Sequence, residues 1–202
     1  MVSAPRLILA STSRYRRELL SRLHLPFEVQ APDVDETPVP SEQPAALARR
    51  LATQKAEAIA ARAPDAVVIG SDQVADLDGA CIGKPGSHER ATDQLKSMSG
   101  RSVVFHTAVA VVSRTRGYAH TEVASVIVRF RELTDGEIEH YLRVEQPYDC
   151  AGSAKCETLG IALLEAIESD DPTTLVGLPL IRTCELLREA GIDPLAPPSA
   201  SQ

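Results

Sequence analysis

Apolar positions along the chain follow two different spacings. Short apolar runs predict strands over residues 6–10, 27–31 and 67–70, and β-rich runs predict a pair of long antiparallel strands over 103–113 and 122–130. Apolar positions three and four residues apart predict helices. The first predicted helix runs from the cap at 11–13 to about 24, and the second, opened by Ser41, runs from 44 to about 62. Three more helices are predicted: from Ser87 to 98, after a capping box at 134–137, and from Pro179 to Gly191.

The run Val67–Gly70 is followed directly by Ser71, Asp72 and Gln73. We predict that the strand ends there and that a turn leads to a further strand ending at Leu77. Polar side chains at the carboxyl end of a strand occupy the position where open α/β sheets bind ligands. The alternative is a strand followed by an ordinary polar turn.

Two cations lie on apolar helix faces. Arg16 precedes the apolar stripe of the first helix, and Lys55 lies between Leu51 and Ile59 in the stripe of the second. A lysine in such a position is costly unless it has a partner or reaches a cleft. The alternative is a lysine whose stem passes over neighbouring alanines and whose ammonium stays in water.

Composition narrows the class of protein. The chain has 202 residues, 44% hydrophobic and 24% charged, and a net charge of −7, which disfavours nucleic-acid binding. We find no run of about 18 apolar residues and no secretory signal, and so expect no membrane association. Four cysteines without a C-x-x-C pair predict reduced thiols in a cytoplasmic protein. Without a linker or repeat, we predict one domain of two lobes over 1–196 and a disordered tail over 197–202.

The charged residues at predicted strand and helix ends form two sets. Cations and helix N-terminal amides suit phosphate, and carboxylates in the same cleft require a bridging divalent metal. Such a site could orient a water molecule for attack on phosphorus, with a carboxylate as base. No P-loop, dinucleotide-binding or nucleophile-elbow motif is present. The cations are Arg16, Lys55, Lys84 and, less centrally, Lys155; the acids are Glu36 and Asp72, with Asp33 and Asp35 as additional candidates.

Six short motifs occur in order from about residue 6 to 195, and together they resemble the Maf family of nucleotide pyrophosphatases. They lie at 9–17, 34–37, 54–56, 69–73, 83–85 and 151–157. The resemblance implies an α/β, two-lobed Maf/ITPase-like fold with a curved mixed β-sheet flanked by helices and a central cleft. It also implies hydrolysis of a nucleoside triphosphate to monophosphate and diphosphate, a divalent metal cation (Mg²⁺, Mn²⁺ or Co²⁺), and often a homodimer.

Site residues follow from the same resemblance. It implies catalytic roles for Asp72, Glu36, Lys55, Lys84 and Arg16, with Glu36 and Asp72 also binding the metal. It implies substrate binding by Ser11, Ser13, Tyr15, Gln73 and Glu157.

The variable positions Tyr15, Gln73 and Glu157 resemble the branch of the family that acts on 7-methyl-GTP. A 7-methylguanine ring is cationic and would be attracted to an aromatic face, and a carboxylate can accept hydrogen bonds from its N1–H and amino group. Two positions depart from that branch, which has tryptophan at the position of Tyr15 and proline at that of Arg14. The alternative for Tyr15 and Glu157 is helix packing and an ordinary acid near a helix N-terminus.

Three functions remain open from the sequence. The first is a metal-dependent 7-methyl-GTP pyrophosphatase that removes modified nucleotides. The second is a nucleotide-binding regulator of septum formation in cell division, and the third is a pyrophosphatase for unmodified nucleotides. The full set of charged residues favours an enzyme.

Overall fold

The structure, a computed structural model, describes residues 5–196, so the predicted disordered tail lies outside the described residues. It contains seven strands and five α-helices within that range. The strands are β1 (Leu7–Ala10), β2 (Glu28–Gln30), β3 (Val67–Leu77), β4 (Ala80–Ile82), β5 (Ser102–Ser113), β6 (Tyr118–Phe130) and β7 (Leu164–Glu168). The helices are α1 (Arg14–Ser21), α2 (Pro44–Ala60), α3 (His88–Met98), α4 (Asp135–Glu145) and α5 (Leu180–Glu189).

All seven strands form one mixed sheet in the order β2-β1-β3-β5-β6-β7, and β4 pairs with β3. Strands β1, β2 and β3 are parallel, whereas β5, β6 and β7 are each antiparallel to the preceding strand in this order. The predicted mixed α/β architecture is therefore confirmed. Among the described residues, no helix combines the length and the apolarity needed to cross a membrane.

Side chains of β3 divide the fold into two lobes. Val67 and Ile69 pack in one apolar cluster with α1 and α5, whereas Ala75 and Leu77 pack in another with α3 and α4. Because residues two apart on a strand share a face, both clusters lie on the same side of the sheet, at opposite ends. Helix α2 covers the other side, where its apolar residues pack around Val68.

A polar layer separates the two clusters. Ser71 donates from Oγ to the Gly177 carbonyl over 3.1 Å, and Gln73 donates from Nε2 to the carbonyls of Thr174 and Leu175 over 3.1 and 3.0 Å. Segment 171–178 therefore crosses the sheet between the lobes and is held there by side chains of β3. Its carbonyl groups need such donors because an unpaired buried carbonyl is costly.

Local signals account for most helix ends. Ser13, Ser87 and Thr134 accept main-chain hydrogen bonds as N-caps of α1, α3 and α4, and the capping box at Thr134 and Glu137 is complete. The prediction that Ser41 opens α2 is wrong, because Ser41 has a φ of 62° and Gln43 precedes the first helical residue, Pro44. Proline fits that first position because its missing N–H would have no partner there.

The predicted turn after Gln73 is also wrong, because β3 continues without interruption to Leu77. The C-terminal half of β3 pairs with β5, so the ladder between these two strands extends from Val68 to Asp76. The tight turn comes later, at Asp78 and Gly79, where both residues have positive φ, as a two-residue hairpin requires. Asp72 therefore lies in the middle of a strand.

Gly70 allows α2 to approach β3 closely. A Cβ atom at this position would lie 2.2 Å from the carbonyl oxygen of Ala52 and 2.6 Å from the main-chain nitrogen of Ala56. Both atoms belong to the backbone of α2, so the clash could be relieved only by moving the helix. Lys55 lies on the same stretch of α2, so its position depends on this contact.

We expect Gly70→Ala to destabilise the fold by about 1–3 kcal/mol or more, since it overpacks a helix–strand contact made of main-chain atoms. Urea unfolding of wild type and variant measures the difference. Gly136→Ala is the matched control, because Gly136 lies in the first turn of α4 and, apart from its chain neighbours and the backbone of its own helix, no atom lies within 4 Å of the added Cβ. The control should be neutral or slightly stabilising; equal stability of Gly70→Ala and wild type would contradict the expectation.

Candidate active site

One edge of β3 is interrupted where β1 ends. Along this edge β1 pairs with residues 67–70, and β4 pairs with residues 75–77. No strand of the described chain pairs there with positions 71–74, so a gap opens in the sheet beside Asp72. The N-terminus of α1 and the loop after β4 border this gap, since they directly follow the two strands that flank it.

Lys55 lies at the centre of the charged residues beside the gap. Its ammonium donates to Oδ1 of Asp72 over 2.6 Å and lies 2.6 Å from Oε1 of Glu36. Lys55 is 5% exposed, so it is not a lysine whose ammonium stays in water. Two carboxylates offset the cost of burying its charge. Because each contacts the same ammonium at 2.6 Å, their contacting oxygens lie within about twice this distance of each other.

Glu36 is the more exposed of the two carboxylates, at 57% of its side chain against 12% for Asp72. Burial opposes its ionisation, but the hydrogen bond from Lys55 and the charges of Lys55, Lys84 and Arg16 outweigh burial and hold the pKa of Glu36 below its ordinary value. Lys84 is exposed in the loop between β4 and α3. We count it with the same cluster because its charge also helps to lower the pKa of Glu36.

Arg16 joins this cluster from α1. Burial lowers its pKa, while the charges of Asp72 and Glu36 act in the opposite direction. Its Nε donates to the carbonyl of Gly177 over 2.9 Å, and Nη1 lies 3.5 Å from Oγ of the buried Ser11. The five charged side chains Arg16, Glu36, Lys55, Asp72 and Lys84 therefore come from five separate parts of the chain.

Ser11 and Ser13 shape the entrance to α1. Ser11 accepts from the main-chain nitrogen of Ser13 over 3.1 Å, and Ser13 accepts from that of Arg16 over 3.4 Å. These contacts cap the N-terminal end of the helix, which borders the gap and carries a partial positive charge. Binding of substrate by the two serines stays a prediction.

Tyr15 and Glu157 line one pocket of about 300 Å³, together with Lys155 and Val176. Burial raises the pKa of Tyr15 to about 12, so its phenol stays neutral at physiological pH. The guanidinium of Arg14 lies over the Tyr15 ring, with Cζ 4.7 Å from the ring centroid, and donates to its hydroxyl over 2.7 Å. A cation therefore already interacts with this aromatic ring, as a cationic ligand would.

Gln73 differs in its surroundings. Its amide nitrogen contacts the Thr107 hydroxyl at 2.9 Å in addition to the two carbonyls of segment 171–178, so both of its N–H groups are engaged within the protein. Only the carbonyl oxygen of this side chain remains for a ligand. Its predicted role in substrate binding is thus restricted to accepting hydrogen bonds.

The sequence did not predict a role for Arg50, which fastens the loop carrying Glu36 to α2. Arg50 forms a two-pronged pair with Glu42 at 2.7 and 2.8 Å and donates to the carbonyl of Thr37 over 3.1 Å. Glu42 in turn accepts from the main-chain nitrogen of Val39 over 3.1 Å. The only available sequence signal was an arginine and a glutamate in the same region, because the partner groups are mostly main-chain atoms.

A wide groove of about 550 Å³ lies behind this loop, between it and α2. Val34, Thr37, Arg50 and Gln54 are among its lining residues, but none of the five charged residues of the cluster is. The groove is therefore separate from the candidate active site.

This chain is similar to a family model and to several named proteins. The model of a family described as "Maf-like protein" matches residues 6–190. A Polaromonas sp. protein named "7-methyl-GTP pyrophosphatase" is 67% identical over 92% of this chain and 85% of its own length. Proteins of the same name from Albidiferax ferrireducens and Thiobacillus denitrificans are 63% and 57% identical, over 93% and 98% of this chain and 94% and 98% of their own lengths.

A solved structure described as "Structure of a HAM1 protein from Coxiella burnetii" aligns with 63% of this chain and 73% of its own, at 18% identity and a TM-score of 0.44.

We expect Arg50→Lys to lower the turnover number of the candidate active site by about 10-fold, because a lysine keeps the charge but cannot form the two-pronged pair that holds the Glu36 loop. Glu42→Gln should have a similar effect, and the double variant should be little worse than either single variant. Arg62→Lys, at an exposed arginine just beyond α2, is the control. If thermal stability falls while kcat stays unchanged, Arg50 is merely structural.

Proposed function

The chain belongs to the Maf family, and on that premise we propose that it is a nucleoside triphosphate pyrophosphatase that hydrolyses 7-methyl-GTP to 7-methyl-GMP and diphosphate. The observation that carries the proposal is the contact of the buried Lys55 with Asp72 and Glu36, together with a pocket lined by Tyr15 and Glu157. Relatives support the proposal, because proteins that are 57–67% identical over nearly the whole chain share the name "7-methyl-GTP pyrophosphatase".

The reaction needs an activated water and a stabilised leaving group. Asp72 takes a proton from water, whose oxygen attacks the α-phosphorus, and the bond from that phosphorus to the bridging oxygen breaks to release diphosphate. Lys55 holds Asp72 in place through its 2.6 Å contact. Arg16 and Lys84 neutralise charge on the phosphate groups, as cations beside a phosphoryl centre do.

The carboxylates fit a divalent cation that is shared with the substrate. Among residues 5–196, no group of three or more His, Cys, Asp or Glu side chains is placed to hold a metal ion by itself. Glu36 and Asp72 each contact Lys55 through one oxygen, which leaves the other oxygen of each for a ligand. Mg²⁺ commonly binds one or two carboxylates with phosphate oxygens and water, and Mn²⁺ or Co²⁺ could serve likewise. When bound, the cation supplies charge neutralisation of the triphosphate.

The base pocket suits a cationic purine. Tyr15 offers an aromatic face, to which the positive charge of 7-methylguanine is attracted, and Glu157 offers acceptors for its N1–H and amino group. Arg14 lies over the Tyr15 ring and must move if the base stacks on that face. A cytoplasmic location and a homodimer stay predictions beside this proposal.

The test is a panel of triphosphates with wild-type enzyme and Mg²⁺: 7-methyl-GTP, GTP, dTTP, UTP and CTP. We expect the highest kcat/KM with 7-methyl-GTP, and diphosphate, without orthophosphate, as the released product. A preference for dTTP or UTP would overturn the assigned base while leaving the pyrophosphatase in place. Nucleotide binding without turnover would favour a regulator instead.

We expect Asp72→Asn to lower kcat by about 10²-fold or more, because the amide keeps the shape of the side chain but cannot accept a proton. Thermal unfolding checks that the variant is folded, which matters because the change also leaves Lys55 with a single carboxylate partner. Lys55→Met separates loss of the base from loss of the ion pair, since it removes the ammonium and keeps the Asp72 carboxylate. Near-normal turnover by folded Asp72→Asn would remove Asp72 from the role of base.

A further inference from the structure

Lys155 is a buried cation in the wall of the Tyr15 and Glu157 pocket. The residue is 7% exposed, yet it lines the pocket together with those two side chains. It lies shortly after the 3₁₀ segment Ala151–Ser153. The chemistry proposed above assigns it no role.

Its ammonium has fewer partners than it has hydrogens. Nζ donates to the main-chain carbonyl of Glu145 over 3.2 Å, and the carboxylate of Asp149 is 3.9 Å away, beyond hydrogen-bond distance. An ammonium carries three N–H groups, and a buried one that is left unpaired is costly. Lys155 can therefore accommodate a further acceptor supplied by a ligand in the pocket.

The backbone of Lys155 is fixed from three sides. Its N–H donates to the Tyr141 hydroxyl over 3.0 Å, and its carbonyl accepts from the main chain and the hydroxyl of Thr158 over 3.2 and 3.3 Å. Gly160 packs against it so closely that a Cβ there would lie 2.5 Å from the Lys155 carbonyl oxygen. The fixed backbone sets the point from which the Lys155 side chain enters the pocket, and the hydrogen bond from Nζ to the Glu145 carbonyl holds its end there.

We propose that Lys155 recognises the guanine base by donating a hydrogen bond to its O6 carbonyl, while Glu157 accepts from N1–H and the 2-amino group. The inference rests on the proposed function and names the part of the substrate that the pocket recognises. Guanine presents an acceptor at O6 and a donor at N2, whereas adenine presents a donor, its amino group, in place of O6. A lysine and a glutamate in one pocket match the guanine pattern and oppose the adenine pattern.

This assignment divides the recognition of the methylated base between residues. Lys155 identifies the base as a 6-oxopurine, whether methylated or not, and its positive charge is unfavourable to the cationic ring. Tyr15 and Glu157 favour that cationic ring. Removal of Lys155 should therefore harm GTP more than 7-methyl-GTP.

The experiment is kcat/KM of wild type and Lys155→Met with 7-methyl-GTP, GTP, ITP and ATP. Methionine keeps the length of the side chain and loses the donor. We expect a fall of about 10- to 150-fold for GTP and for ITP, the range of a lost hydrogen bond to a charged group, a smaller fall for 7-methyl-GTP, and none for ATP. Glu157→Gln is the companion variant, and it should harm GTP more than ITP, which lacks the 2-amino group.

A second measurement does not depend on the folding of a variant. In 6-thio-GTP sulfur, a weaker acceptor, replaces O6, so wild type should cleave it with a lower kcat/KM than GTP. Lys155→Met, if folded, should treat the two alike. If kcat/KM of Lys155→Met falls equally for all four nucleotides, Lys155 serves the fold or the phosphates, and the proposal is overturned. Equal cleavage of GTP and 6-thio-GTP by wild type would also overturn it. Failure of wild type to release diphosphate from 7-methyl-GTP would overturn the proposed function, and it is measured first.

Discussion

The burial of one ammonium between two carboxylates organises this molecule. Lys55 extends from the sheet-facing side of α2 and meets Asp72 in the middle of β3 and Glu36 on the loop before α2. Such a group is stable only while both partners stay in place, because a buried charge that loses its partner is strongly destabilising. The close contact of α2 with Gly70 and the fastening of the loop by Arg50 both serve this arrangement.

The two lobes share one sheet, and the segment between them does more than connect. Segment 171–178 crosses the face of β3 and presents carbonyl groups to Ser71, Gln73 and Arg16. Through Gly177 it touches both a strand residue and a member of the charged cluster. The segment that separates the two apolar clusters thus also positions a cation of the candidate active site.

The pocket beside the cluster combines groups of opposite charge with an aromatic ring. Arg14, Lys155 and Glu157 line the pocket with Tyr15, and the Lys155 ammonium has only a distant carboxylate partner, that of Asp149 at 3.9 Å. A ligand that carries both donors and acceptors is favoured there over an apolar one, because buried polar groups need partners. A purine with a carbonyl, an amino group and a charged imidazolium part is a ligand of this kind.

The sequence by itself determined the features that depend on neighbouring residues: the caps at Ser13, Ser87 and Thr134, the long pair of strands β5 and β6, and the unusual placement of Lys55 on an apolar stripe. Helix periodicity and capping are local, so a single sequence reveals them. The tertiary structure decided that β3 runs past Asp72, because its far half is held by β5, a strand more than twenty residues further along the chain. It also decided that the amide nitrogen of Gln73 is engaged with segment 171–178, some hundred residues away. Those partners are mostly main-chain atoms, which every residue carries, so no residue type in the sequence marks them.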